Sequence, residues 1–195
     1  MTFDLKAPFA WEAESIAKTA EAIDPAAFEK AVELLSFAPR IGASGCGHSG
    51  IACRHFAHLM CCAERPARFI SPAEAVHGAL GFIQKDDVIV LVSRGGKTDE
   101  LIPIADICVS KGAKIITLTE NLSSPLAQKA DVVLPMVITR ECDKYNCQGT
   151  TSFAVTNAVF DVLQAAVIER TGYKNEKFAV IHPAGAVGKR LNEKK

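Results

Sequence analysis

From Ile41 onward, short apolar runs alternate with helical stretches, and this alternation constrains the fold more than any other feature of the chain. The runs are Ile41–Ser44, Ala67–Ile70, Val88–Val92, Lys114–Thr119 and Val132–Val137. Strands this uniformly apolar belong in a parallel sheet covered on both faces. Between them lie the helical candidates Ser49–Ala63, Asp99–Lys111 and Ser124–Lys129. A longer candidate, Thr150–Thr171, follows the last run, with Gly172 as its stop. Pro72–Ala79 reads as a further short helix. Residues 1–38 read as two helices ahead of the sheet. There Asp24-Pro25 places an N-cap before a proline at the first helical position, and Phe28, Val32 and Leu35 recur at helical spacing. The expected fold is α/β: a three-layer, flavodoxin-like sandwich with a five-stranded parallel sheet, helices on both faces and an N-terminal helical pair. No repeat or linker divides it, so residues 1–195 are read as one domain: 1–38 the N-terminal helices, 39–195 the sheet core and a C-terminal motif. In such a sheet, ligands bind beyond the carboxyl ends of the strands.

Charge narrows the choice of ligand. Lys plus Arg and Asp plus Glu both number 22, so the net charge is zero. Nucleic acid and anionic membranes call for a basic surplus, so neither is an expected partner. No uninterrupted apolar run reaches the ~18 residues of a membrane span, and Met1–Ala10 lacks a signal-peptide core. The seven cysteines are odd in number and mostly sit in apolar runs, as reduced, buried thiols of a cytoplasmic protein do.

Two loops at expected strand ends carry the chemistry. The first is Ser44-Gly45-Cys46-Gly47-His48-Ser49-Gly50, where three glycines would let backbone approach a ligand. The spacing of Gly45, Gly47 and Gly50 fits a dinucleotide fingerprint. The acidic ribose partner expected ~20 residues on is missing from Ala67–Ser71, so a nucleotide cofactor is not expected. The second loop is Ser93-Arg94-Gly95-Gly96-Lys97-Thr98-Asp99-Glu100. It gathers hydroxyls, free amides and two cations at an expected helix N-terminus, which suits a phosphate. It lacks the spacing of a Walker loop. His55, His58, Cys61 and Cys62 would allow a zinc site on one helix, but ordinary packing is the better reading, and no metal is expected. Cys142 and Cys147 flank a polar loop and carry a weaker redox reading.

With these loops in view, the chain resembles the phosphosugar isomerases of the sugar isomerase (SIS) family, closest to the arabinose 5-phosphate isomerase branch. The likeness runs from about Ile41 to Leu191. Its carriers are Gly45–Gly50, Pro72-Ala73-Glu74-Ala75-Val76-His77-Gly78-Ala79-Leu80-Gly81, Ser93–Glu100 and His182-Pro183-Ala184-Gly185-Ala186-Val187-Gly188-Lys189-Arg190-Leu191. The chain departs from the family pattern at His48, where a lysine is usual, and at Gly95, Lys97 and Ala79. The regulatory CBS pair that commonly follows is not expected. A more cationic pocket would favour a more anionic ligand.

The resemblance implies an aldose–ketose isomerisation through an enediol, with arabinose 5-phosphate and ribulose 5-phosphate as the expected pair and no cofactor. It implies Glu141, Glu100, His182 and His77 as acid–base residues, with Glu141 favoured as the base and the two histidines placed in loops. Ser44, Gly45, His48, Ser49, Ser93, Arg94, Gly95, Lys97, Thr98, Thr150, Thr151 and Ser152 would shape the sugar and phosphate site. It also implies a homotetramer whose sites are completed by neighbouring subunits, an oligomer that exposed faces at Phe28, Val32 and Leu35 would favour. A sugar-phosphate-binding module without turnover and another SIS enzyme, such as a hexulose phosphate isomerase, are the alternatives.

Overall fold

The computed structural model describes residues 3–193. Five parallel strands form its sheet in the order β2-β1-β3-β4-β5: β1 Ile41–Gly45, β2 Ala67–Phe69, β3 Val88–Val92, β4 Lys114–Thr119 and β5 Val132–Pro135. Strand β3 shows why the apolar runs are unbroken. Val88, Val90 and Val92 enter one core with Val32, Phe56, Phe160 and Leu163. Ile89 and Leu91 enter a second core with Leu101, Ile104, Cys108 and Leu126. Side chains alternate across a strand, so a strand covered on both faces must be apolar at every position.

One face is covered by α1 (Lys6–Ala22), α2 (Pro25–Phe37), α3 (Gly47–Cys62) and α7 (Thr151–Thr171). The other is covered by α4 (Pro72–Ala75), a 3₁₀ turn at Ala79–Phe82, α5 (Ile102–Lys111) and α6 (Pro125–Lys129). Two short helices, α8 (Asn175–Ile181) and α9 (Gly185–Asn192), follow Gly172, which caps α7 at φ +63°. The three-layer sandwich is as expected. Asp24 caps α2 as expected, its carboxylate accepting from the Ala27 amide at 2.9 Å.

Four details correct the expectations. The segment after Gly172 forms two short helices that the sequence does not suggest, with His182–Ala184 as the expected loop between them. Helix α5 begins at Ile102 rather than Asp99: Pro103 needs no amide partner in the first turn, and Asp99–Leu101 form a separate turn. Val132–Val137 ends as a strand at Pro135, because the Val137 amide donates instead to Thr19 Oγ1 of α1 at 2.9 Å. The Thr139 amide likewise donates to Ser15 Oγ at 3.1 Å. Hydroxyls one helical turn apart thus dock α1 on the chain leaving β5. Finally, Val32 and Leu35 are buried within this chain, so of the three residues only the half-buried Phe28 has surface left for an oligomer contact.

Helix α7 is, among the described residues, the one helix long and apolar enough to cross a membrane by length and composition. It packs against α1, α2 and α3, burying Val155, Val159, Phe160, Leu163 and Val167 while Val162 stays exposed.

Candidate functional site

Strand order reverses between β1 and β3: the chain leaves β1 for one edge of the sheet and builds β3, β4 and β5 toward the other. The loops after β1 and β3 therefore diverge, and their mouth at the carboxyl edge is where a ligand fits. Both sequence-derived loops end there, joined by the segment from β5 to α7.

In the β1 loop the glycines have divided roles. A Cβ at Gly50 would sit 2.5 Å from the Gly45 carbonyl, so these two glycines let α3 lie directly on β1, and both also line a pocket of about 430 Å³. Gly47, at φ +55°, makes the turn. Ser44 is fully buried and donates to the Ile70 carbonyl at 2.8 Å, tying β1 to the end of β2. His48 lies under Gly149, where a Cβ would approach its Nδ1 to 3.0 Å, and edge-on to Phe153.

The β3 loop is a compact turn. Ser93 Oγ accepts from the Gly96 amide at 3.0 Å and shares a 2.7 Å hydrogen bond with Thr98 Oγ1. Gly96 is left-handed at φ +66°, and any Cβ there would collide with Ser124 and Thr119. The space over Gly95 is open, since a Cβ would meet only the Lys97 stem at 3.9 Å. Lys97 is exposed and forms no ion pair among the described residues.

Arg94 does not face solvent alone. Its Nε donates to Glu120 Oε2 at 2.8 Å and its Nη1 to Glu141 Oε1 at 2.9 Å. Glu141 is only 1% exposed. Its Oε2 accepts from Thr150 Oγ1 and from the Ser152 amide, both at 3.2 Å, so the carboxylate also sits at the N-terminus of α7, where the helix dipole favours an anion. Its own amide donates to Asn146 Oδ1 at 2.6 Å. The Asp143 carboxylate shapes the same loop by accepting from the Tyr145, Cys147 and Gln148 amides. The Gln148 amide above all holds the Asp143 carboxyl below its ordinary range.

His48, Ser49, Arg94 and Ser152 line one small cavity with Met136, Phe153 and Thr156, of about 20 Å³. Glu100, exposed in the turn before α5, lines a larger neighbouring pocket of about 430 Å³ with Cys46, Arg54, Phe69 and Ser71. Burial, and then the Glu100 charge, push the Cys46 thiol up. Arg54 lies 3.9 Å over the Phe69 ring. Thr151 is fully buried beside Cys142 and opens to neither space.

The two histidines are elsewhere. His77 is exposed in the turn after α4 and lines neither cavity. His182 ends α8, stacked near Phe178, and lines a pocket with His58 and Cys62 from the last turn of α3. Helix α3 has 16 residues, so about 24 Å separates its Gly47 end, beside the glutamates, from its Cys62 end, beside His182. One chain therefore brings the two glutamates and the Ser93–Thr98 turn to one edge and leaves His182 at the other. Sequence reasoning missed Arg54, Glu120 and Asn146. None carries a local signature, although Asn146 adopts φ +57°, a conformation asparagine tolerates. His58 Nε2 lies 3.7 Å from Cys62 Sγ, yet among the described residues no group of three or more His, Cys, Asp or Glu is placed to hold a metal.

Residues 34–166 match the SIS domain family. The arabinose 5-phosphate isomerase KdsD of Pseudomonas aeruginosa is 38% identical over 165 residues, covering 84% of this chain and 51% of the relative. The arabinose 5-phosphate isomerase KpsF of Escherichia coli is 38% identical over 148 residues, covering 76% of this chain and 47% of the relative. The chain spans about half the length of these curated relatives. Among solved structures, a Listeria monocytogenes protein assigned as a sugar-phosphate isomerase aligns with TM-score 0.88 and 36% identity, covering 94% of this chain and 100% of that one. An Escherichia coli CFT073 protein in complex with arabinose 5-phosphate aligns with TM-score 0.80 and 26% identity, again over 94% and 100%.

Proposed function

The chain belongs to the SIS domain family, and on that premise we propose that it is an aldose–ketose isomerase of a phosphorylated sugar, with arabinose 5-phosphate and ribulose 5-phosphate as the interconverted pair. The observation that carries the reading is a buried carboxylate, Glu141, hydrogen-bonded to Arg94 of a strand-end turn rich in hydroxyls and amides. The names of the relatives and the ligand of the Escherichia coli CFT073 complex support the same substrate class.

In this reading the phosphate sits over Gly95, held by the Ser93–Thr98 turn with Lys97 beside it. The sugar extends toward His48, Ser49 and Ser152. Glu141 takes the proton from the carbon beside the carbonyl, the carbonyl oxygen gains a proton, and the enediol forms. Return of the proton to the neighbouring carbon, with loss of the other hydroxyl proton, completes the isomerisation. Glu100 faces the sugar from the opposite wall. His182 and His77 act in ring opening and proton shuttling from a second copy of the chain, because within one chain His182 lies a helix length away. The working protein is then a homo-oligomer, a tetramer, in the cytoplasm. An apolar groove of about 320 Å³ between α1, α2 and α7, lined by Ile16, Phe28 and Val162, supports association.

The position of His182 also favours a second reading, a binding module without turnover. One experiment separates the two: pentose, hexose and heptose phosphates are incubated with the protein in deuterium oxide and followed for exchange beside the carbonyl. Exchange with a pentose phosphate is expected. Binding of every sugar phosphate without exchange would leave the binding module.

A further inference from the structure

The turn assigned to phosphate and the carboxylate assigned to proton transfer are joined by one side chain. Arg94 lies inside the phosphate turn, and its guanidinium spans from Glu120, just after β4, to Glu141, after β5. Its backbone is pinned at the same place: its carbonyl accepts from Thr119 Oγ1 at 3.0 Å and from the Glu120 amide at 2.9 Å. The guanidinium is not sealed in, since the side chain is 38% exposed while that of Glu141 is 1% exposed. The two oxygens of Glu141 have different partners. Oε2 is anchored by Thr150 and the Ser152 amide, and Oε1 is held by Arg94 alone among the described residues.

We propose that Arg94 determines specificity for phosphorylated substrates by making the base available only when a phosphate is bound. With the turn empty, Arg94 engages Oε1 and withholds it from a sugar. A phosphate dianion over Gly95 competes for the same guanidinium. It offers several acceptor oxygens and the stronger charge-assisted hydrogen bonds that Arg makes with phosphate. Glu120 keeps Nε in place, so the exchange needs a swing of the guanidinium end rather than a rearranged loop. Oε1 is then uncommitted, while Oε2 stays fixed at the α7 N-terminus and keeps the carboxylate aimed. Binding energy from a remote, unreactive part of the substrate is thereby spent on the reacting centre. This inference rests on the proposed isomerase reading, and it assigns Arg94 a role that a plain phosphate ligand would not have.

The test uses a substrate in two pieces: unphosphorylated arabinose with inorganic phosphite, followed by deuterium uptake beside the carbonyl. In the wild-type protein, phosphite should raise exchange by about 5–150-fold, the usual span of coupling between two sites. In Arg94→Gln that stimulation should vanish. Arg94→Lys, which keeps the charge but not the fork, should retain part of it. No stimulation in the wild type, or full stimulation in Arg94→Gln, overturns the proposal. A second arm needs neither turnover nor a variant: crystals of the wild-type protein soaked with inorganic phosphate. The expected result is phosphate over Gly95 with the Arg94–Glu141 contact broken. An unbroken contact beneath bound phosphate, or phosphate absent from the turn, overturns the proposal. If no sugar phosphate exchanges at all, the isomerase reading falls, and the soaked crystal still decides the Arg94 exchange.

Discussion

Glu141 and Arg94 show how much a site depends on side chains that share no stretch of sequence. Glu141 has its carboxylate oriented by three donors, so replacing it with glutamine keeps the shape and loses the proton acceptor. We expect Glu141→Gln to lower turnover by about 10²–10⁴, the usual worth of a positioned general base, with sugar-phosphate affinity held within a few-fold in calorimetry. Glu100→Gln should cost less, because Glu100 is exposed and lines the larger neighbouring pocket. Deuterium exchange surviving in Glu141→Gln and lost in Glu100→Gln would exchange the two roles. At the turn proposed for phosphate, Thr98→Ala removes one hydroxyl and leaves Ser93 Oγ with the Gly96 amide as its partner. Loss of a hydrogen bond to a charged group costs about 1.5–3 kcal/mol, and unchanged affinity in both Thr98→Ala and Ser93→Ala would exclude the turn as the phosphate site. The residue types of this turn were legible from the sequence because glycines, hydroxyls and cations cluster locally. The partner of Arg94 was not, since Glu141 is 47 residues away and nothing local distinguishes a paired guanidinium from a free one.

At the scale of elements, close approach and backbone satisfaction decide stability. Helix α3 lies on β1 only because Gly45 and Gly50 lack side chains. Gly50→Ala should therefore cost about 1–3 kcal/mol through overpacking, read as a Tm lowered by about 2–4 °C for each kcal/mol at this chain length. The α1 contact is a second case. Thr19→Val would unpair the half-buried Val137 amide, at up to the ~1–3 kcal/mol that a fully buried unsatisfied donor costs. Protease sensitivity of α1 should rise in step. The loop from Glu141 to Thr150 depends on Asp143 in its ionised form, which accepts three amides. Its folded pKa is depressed, chiefly by the Gln148 amide. Its contribution is therefore complete above the ordinary Asp value of about 3.9 and is lost as pH falls through the lower folded value. Hydrogen-exchange protection at the Gln148 and Cys147 amides, relative to the intrinsic rate at each pH, should fall over that acidic range and stay flat at neutral pH. Asp143→Asn should lower that protection at neutral pH.

For the whole molecule, the proposed role of His182 makes assembly a condition of activity, because one chain holds it about a helix length from the glutamates. The chain should sediment as an oligomer at micromolar concentration, and a monomer that turns over substrate would refute the shared site. A sharper test mixes two inactive proteins, Glu141→Gln and His182→Gln, after subunit exchange. Hybrid oligomers contain sites with both native residues and should regain turnover that neither parent has. No recovery despite demonstrated exchange would place both groups in one chain or remove His182 from the reaction. One exposed apolar position of helix α7 fits an assembled state: Val162 lines the apolar groove with Ile16 and Phe28.

The sequence by itself determined the layers, the parallel sheet, the capping of α2 and the two loops at its carboxyl edge. All of these follow from local periodicity and from the few residues that turns and caps require. Only the tertiary structure decided what those loops do to each other. Glu141 is reached by Arg94, Thr150 and Ser152 because three strand ends converge, α1 docks through Ser15 and Thr19 because the chain after β5 needs partners for its amides, and His182 falls at the far end of α3. The physical reason is range. Hydrophobic period and turn propensity act over a few residues and leave a pattern in the chain, whereas an ion pair or a shared hydroxyl depends on a distance in space that the fold sets and the linear order does not record.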